Sequence, residues 1–304
     1  MAVTVNRTSL DTICPEEFLD WAVENVDPND DESMISASER LCALNNNRDF
    51  IIEKVREEML SLLQGSNDHI SSAQGIIHAA GSCPKGRFVV RSVIWTPSLV
   101  KGSRAEQAQD RTLSFAAAHD HNFALLTIGH RGPGYETVIH EYCKDTVLGE
   151  SDELISIKYL ETTTLSEGKI LYFRPSRDIH SQSHPKDLSI SLNLIGQGRA
   201  IASIPQYEFD IDRQRIKSLY PSSSVMSLLV PFKIFECLNV ESDIISIISD
   251  LSKKHRSPYI RSAAYKTLAK MCPDEFEKLV SPGMDDAHQF VSNTVKNIYA
   301  AISK

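Results

Sequence analysis

The stretch SFAAAHDHNFALLTIGHRGPGYETVIHEY, residues 114–142, decides how this chain is read. Its apolar residues run in short blocks rich in β-branched and aromatic side chains, with no stripe at 3.6-residue spacing. That pattern predicts strands rather than helix. HRGPG at 130–134 is a hairpin connection, because Pro133 presets φ and Gly134 tolerates positive φ. Four of the chain's ten histidines fall in this stretch, and His119 and His121 are one residue apart. Residues i and i+2 of a strand project from one face, so the two imidazoles stand side by side and can grip one metal ion.

Further strand patterns lie on both sides: RFVVRSVIWTP (87–97), LISIKYLE (154–161), KILYFRP (169–175) and LSISLNLI (188–195). Glycine, proline or charged connections separate them, which suggests an antiparallel sandwich or barrel over residues 86–205. There is no βαβ alternation, which argues against a dinucleotide-binding sheet.

Residues 1–85 read as a helical region. PEEFLDWAVENV (15–26) starts with a proline suited to a first helical turn, and RDFIIEKVREEMLSLLQG (48–65) ends on glycine. SSAQGIIHAAG (71–81) is expected to be another short helix. Residues 206–240 contain turn residues and read as a linker. Residues 241–304 return to helix, with Ile260, Ala264 and Leu268 matching Val291, Val295 and Tyr299 at an offset of 31. That is a helical-solenoid period, and this region resembles a HEAT-type repeat.

The chain of 304 residues carries a net charge of −8 and a pI near 5.7, without the basic stripe that nucleic-acid binding needs. No apolar run is long enough for a membrane span, and the N-terminus has no signal-peptide pattern. Six scattered cysteines without a CxxC pair suit reduced thiols. The expected location is therefore the cytoplasm, with neither nucleic acid nor membrane as partner.

A third metal ligand has to come from elsewhere in the barrel. His180, five residues after Pro175, is the first candidate and His184 the reserve. Glu136, across the HRGPG hairpin, offers a different scheme of histidines plus a carboxylate, the usual face of a ferrous oxygenase. Glu136, its neighbour Tyr135, and His140 on the face of Glu136 form the candidate catalytic set. Asp120 points away from the HxH face.

HDHNFALLTIGHRG and GKILYFRPSRDIH together resemble the two motifs of the cupin superfamily. His119, His121 and Gly132 match the first, with Leu125 and Leu126 at its glutamate positions; Gly168, Pro175 and His180 match the second. The resemblance implies an α+β chain built on an antiparallel double-stranded β-helix, flanked by N-terminal helices and the C-terminal HEAT-like helices. Within cupins, the missing glutamate looks like the three-histidine cysteine dioxygenase group. That group carries serine, histidine and tyrosine where this chain has Ser191, Asn193 and Ile195, so the shared feature is the metal cage.

The resemblance implies a mononuclear non-haem Fe(II) oxygenase that uses dioxygen on a small amino-acid-like or carboxylate substrate. A non-oxidative cupin isomerase or hydrolase, and a binding module without catalysis, are the alternatives. Arg91, Arg131, Arg174 and Arg177 lie near the barrel mouth, where an arginine can grip a carboxylate. Arg131 and Arg174 adjoin the motifs and, with Asn193, form the expected substrate-binding set. A 2-oxoglutarate co-substrate would need the same kind of arginine, and that variant stays open. The helices leave open a substrate presented on a peptide or carrier protein, and a homodimer.

Overall fold

A computed structural model of the chain describes residues 3–64, 71–72, 75–98, 101–147, 152–199, 204–219, 223–238, 242–255 and 257–302. It is a mixed α and β structure whose strands pair antiparallel. The N-terminal part holds β1 (Val3–Val5) and four helices: α1 (Pro15–Asn25), α2 (Asp31–Ser36), α3 (Ser38–Asn46) and α4 (Phe50–Leu63). Cys14 and Glu17 form a reciprocal cap at the start of α1, satisfying amide protons that the helix itself leaves open.

The strands that follow are β2 (Ser71–Ser72), β3 (Gly75–Cys83), β4 (Gly86–Trp95), β5 (Ala124–Arg131), β6 (Glu136–Glu141), β7 (Lys158–Thr164), β8 (Ile170–Phe173), β9 (Asp178–Gln182), β10 (Ser189–Gly198), β11 (Tyr207–Asp210) and β12 (Arg215–Leu219). A helix, α5 (Arg104–Leu113), interrupts them between β4 and β5. One sheet runs β1-β8-β5-β10-β4-β3-β2, and a second runs β7-β6-β9. Bridges from His119 to His180 and to Glu208 lay the 118–120 segment between β9 and the β11–β12 hairpin, extending the second sheet.

Parity along β10 explains the layers. Leu192 and Leu194 face the helices and join a core with Phe18, Leu41, Phe88, Leu126 and Tyr172. Ser191, Asn193 and Ile195 face the other way, toward Trp95, Phe115, Tyr135, Ile139 and Phe173 between the sheets. Both faces of β10 are thus covered. The polar residues of the alternating stretch LSISLNL, Ser189, Ser191 and Asn193, are therefore buried between the sheets instead of facing solvent.

The described residues of the segment expected to be another short helix, 71–81, instead form β2 and most of β3, which pairs with β4 across the Pro84–Lys85 turn. Glycines explain the difference: α1 packs so closely on β3 that a Cβ at Gly81 would lie 3.1 Å from a Val23 methyl. Nor is the 206–240 region irregular throughout, since its described residues hold the β11–β12 hairpin and α6 (Ser223–Cys237). Tyr207 and Phe209 point into a core while Glu208 pairs with Lys217 outside. The charged residues between and around them mask that alternation in the sequence.

The C-terminal part comprises α6, α7 (Ser242–Lys254), α8 (Pro258–Met271), α9 (Phe276–Val280) and α10 (Gln289–Ile302). They share a separate core that includes Ile260, Ala264, Leu268, Val291 and Val295. Among the described residues no helix is long and apolar enough to cross a membrane.

Two histidines help tie the helices to the first sheet. His130 Nδ1 donates to Asn45 Oδ1 at 2.8 Å, and the His78 ring stands edge-on to Phe50 with centroids 4.7 Å apart. Burial pushes both imidazoles down to about pKa 4, against an ordinary value of 6.5. The unfolded chain therefore binds more protons between these values. Their neutral state favours folding fully above pH 6.5, progressively less as pH falls, and not at all below about 4. Each pH unit is worth at most about 1.4 kcal/mol per group. Urea unfolding is expected to show a loss on the order of 2–4 kcal/mol between pH 7 and 4 that a His78→Leu/His130→Leu double variant reduces. An equal loss in the variant would refute this assignment.

Candidate metal centre

The 118–121 segment is held as extended backbone by its neighbours. His119 and His180 exchange both backbone hydrogen bonds, at 3.0 and 2.9 Å, and Phe209 N donates to Ala118 O at 2.8 Å. The i, i+2 rule puts His119 and His121 on one face, and the antiparallel pairing places His180 on that same face. The HxH pair thus belongs to a short bridged segment ahead of β5 rather than to a regular strand, yet the parity argument holds. His180 lies in the middle of β9, paired with Ile139 of β6.

The three rings converge. Their centroids are 5.0 Å (His119–His121), 4.6 Å (His119–His180) and 4.9 Å (His121–His180) apart, and one ring nitrogen from each lies within 4.8 Å of the others. All three are buried. Phe123 stacks on His121 at 4.4 Å, and Phe173 packs on His180 at 4.6 Å. Burial holds all three imidazoles below their usual pKa, His121 and His180 well below it, with neighbouring imidazoles adding to the effect on these two. Neutral imidazole is the form that ligates a metal, so the cluster needs to shed no proton at neutral pH.

The Nδ1 side of each ring is occupied. His119 Nδ1 donates to Ala117 O at 2.9 Å, leaving its lone pair on Nε2. His180 Nδ1 lies 3.0 Å from the Gln182 amide, and His121 Nδ1 lies 3.1 Å from the Gln206 amide. His121 Nε2 and His180 Nε2 are 2.9 Å apart. Three convergent neutral imidazoles with outer hydrogen-bond partners suit a divalent transition ion, so the residues fit a metal.

Asp120 points to the opposite side, as expected, but into protein rather than solvent. It accepts from Tyr142 Oη at 2.6 Å and from Tyr207 N at 2.7 Å. Burial lifts its carboxyl to about 7 despite these donors.

Glu136 is not brought to the histidines. It opens β6 with its side chain exposed, while Thr137 and Ile139 take the inward positions. His140 lies on the outer side too, half-buried against Tyr159 at 5.6 Å. The HRGPG turn does not close the expected hairpin, because β5 pairs with β8 and β10 in the first sheet and β6 with β7 and β9 in the second; the turn carries the chain between the sheets and leaves Tyr135 inward and Glu136 outward. Tyr135 is buried 4.2 Å from Trp95, and burial raises its phenol pKa. His184 pairs with Asp110 at 2.7 Å, away from the cluster.

The expected arginines separate as well. Arg131 is exposed at the end of β5. The Arg174 guanidinium is committed to Asp178, with Nε 3.0 Å from Oδ2, and to Glu141 at 3.2 Å. It lines a cleft of about 760 Å³ that includes Glu141, Lys158, Ser176 and Arg177 but none of the three histidines. Arg91 is the arginine that shares the inner face. It pairs in register with Asn193, and its charge acts on both His121 and Tyr135. Asn193 is buried beside it and accepts from Thr127 Oγ1 at 2.6 Å. Gln182 and Gln206 are not expected from sequence. Gln182 has a signal, the same parity as His180; Gln206 has none.

No protein-family model matches the sequence, and no curated protein matches it. Among solved structures, it is similar to DMSP lyases at 15% identity over 36% of this chain and 38% of that one, with TM-score 0.21. A salicylate 1,2-dioxygenase from Pseudaminobacter salicylatoxidans is 9% identical over 49% of this chain and 33% of its own, with TM-score 0.26. A cupin 2 domain-containing protein from Halorhodospira halophila is 10% identical over 58% of this chain and 88% of its own, with TM-score 0.22. This chain thus spans about a third of the lyase and dioxygenase chains. Likenesses this low carry neither fold nor chemistry from those proteins to this one.

Proposed function

We propose that the chain is a mononuclear non-haem iron oxygenase of the cupin kind, acting with dioxygen on a small carboxylate substrate. The observation that carries this reading is the buried cluster of His119, His121 and His180, a set of neutral nitrogen donors without thiolate or carboxylate. A ferrous ion held by such a set supplies redox chemistry toward dioxygen and leaves coordination positions open. The chain's own residues supply the rest. Phe123 and Phe173 exclude water around the rings, and the Arg91–Asn193 wall offers a cation and an amide to an anionic substrate. Tyr135, whose phenol burial keeps neutral at physiological pH, stands on that wall with its hydroxyl hydrogen-bonded to Ser191.

The test is metal content and oxygen uptake. Protein purified anaerobically is expected to hold about one iron per chain and to consume oxygen only when the right carboxylate is added. Turnover without oxygen, on zinc or nickel, would replace this reading with a non-oxidative enzyme. Once a substrate is found, Arg91→Met is expected to raise KM about 10–100-fold, the range for a lost charge-assisted hydrogen bond. Arg131→Ala should leave KM unchanged. An equal rise in both variants would refute the assignment of Arg91.

A further inference from the structure

The hydrogen-bond pattern around the histidines does not close as simply as three identical ligands would. The Gln206 amide nitrogen donates to Asp120 O at 3.2 Å and lies 3.1 Å from His121 Nδ1, so both of its protons are committed. Turning that amide over would set its oxygen against the Asp120 carbonyl, acceptor against acceptor. His121 Nδ1 must therefore accept, which puts the His121 proton on Nε2, where it is donated to His180 Nε2 at 2.9 Å. His180 Nε2 then accepts, so the His180 proton sits on Nδ1 and needs an acceptor. The Gln182 side chain is 3.0 Å away, and its amide oxygen is buried with no hydrogen-bond partner among the described residues. Orientation of an amide is assigned from its network; turning the Gln182 amide over sets its oxygen on the His180 Nδ1 proton and moves its nitrogen to the place where the oxygen had no partner.

We propose that Gln182 and Gln206 divide the cage into two preset ligands and one gated ligand. His119, through Ala117 O, and His180, through Gln182, already carry their protons on Nδ1 and present Nε2 lone pairs. His121 is held in the opposite tautomer by Gln206. To ligate through Nε2 it has to move its proton to Nδ1, and Gln206 has to give up its bond to Asp120. Gln206 is a positioning residue that weakens metal binding, and Gln182 one that strengthens it. This inference rests on the metal reading above.

The test compares full-length wild type, Gln206→Leu and Gln182→Leu in anaerobic titrations with Co(II) and Fe(II). The expected result is opposite signs: binding about 10-fold tighter in Gln206→Leu and about 10-fold or more weaker in Gln182→Leu, the scale at which outer partners of metal ligands act. Loss of affinity in both, or no change in either, would overturn the proposal. Failure of all three proteins to bind either ion would overturn the metal reading itself. Should a leucine variant fail to fold, ¹⁵N chemical shifts of the imidazoles in metal-free wild type read the tautomers directly. Protons on Nδ1 of His119 and His180 and on Nε2 of His121 support the proposal; a proton on Nδ1 of His121 refutes it.

Discussion

His180→Ala is expected to weaken ferrous iron binding by at least about 100-fold, beyond the ~10–100-fold cost of losing an outer hydrogen-bond partner of a ligand. Oxygen consumption should fall to background with it. The variant should still fold, because the paired backbone bonds between residues 119 and 180 do not involve the ring. Removing a buried imidazole leaves a cavity, but it also relieves the crowding of three neutral rings with centroids 4.6–5.0 Å apart. His184→Ala is the control, since that ring is engaged with Asp110 instead of the cluster. Metal analysis and thermal melting of both proteins decide the matter. One iron per chain in His180→Ala would mean that the cluster is not the metal site.

Gly134→Val is expected to cost at least about 3 kcal/mol of stability, enough to abolish folding in a marginal domain. Gly134 adopts φ of +80°, and a Cβ there would lie 2.1 Å from Leu165 O, a backbone atom that cannot step aside. A β-branched residue meets both the left-handed penalty and the clash. Gly168 separates the two effects. It has nearly the same φ, +79°, but nothing lies within 4 Å of its added Cβ. Gly168→Asn should therefore cost less than about 1 kcal/mol, because asparagine tolerates that backbone region. Urea midpoints for the two variants provide the comparison. A loss below about 1 kcal/mol in Gly134→Val would show that the turn can relax.

This glycine and the histidines are legible for the same reason: both depend on short-range geometry. HRGPG predicts a hairpin connection; the turn forms between β5 and β6, but it passes from the first sheet to the second instead of joining paired strands. The i, i+2 relation puts His119 and His121 on one face, and it does so even though their segment is a bridged extension. His180 is reached from its place after Pro175, and the antiparallel bridge to His119 supplies the physical reason that it arrives at the same point.

What misleads is also local. Gly75–Cys83 carries small and apolar residues compatible with either helix or strand, and only pairing with β4 selects the strand. Glu136 suits a metal by residue type, but the parity of β6 turns it outward, with the phenol of Tyr135 inward instead. Closeness in sequence to the histidine motifs favours Arg131 and Arg174. Arg91 is closer in effect because β4 and β10 lie side by side, bringing it level with Asn193 from over a hundred residues away.

The sequence by itself determined strand against helix for most of the chain, the turn after β5, and which two imidazoles share a face. Each follows from torsions and spacing within a few residues, where backbone sterics act without help. The tertiary structure alone decided that Glu136 turns away from the cluster, which arginine faces it, and that Gln206 and Gln182 sit behind its rings. Those facts depend on strand register and on contacts between distant segments, and a one-residue change of register would reverse every one of them.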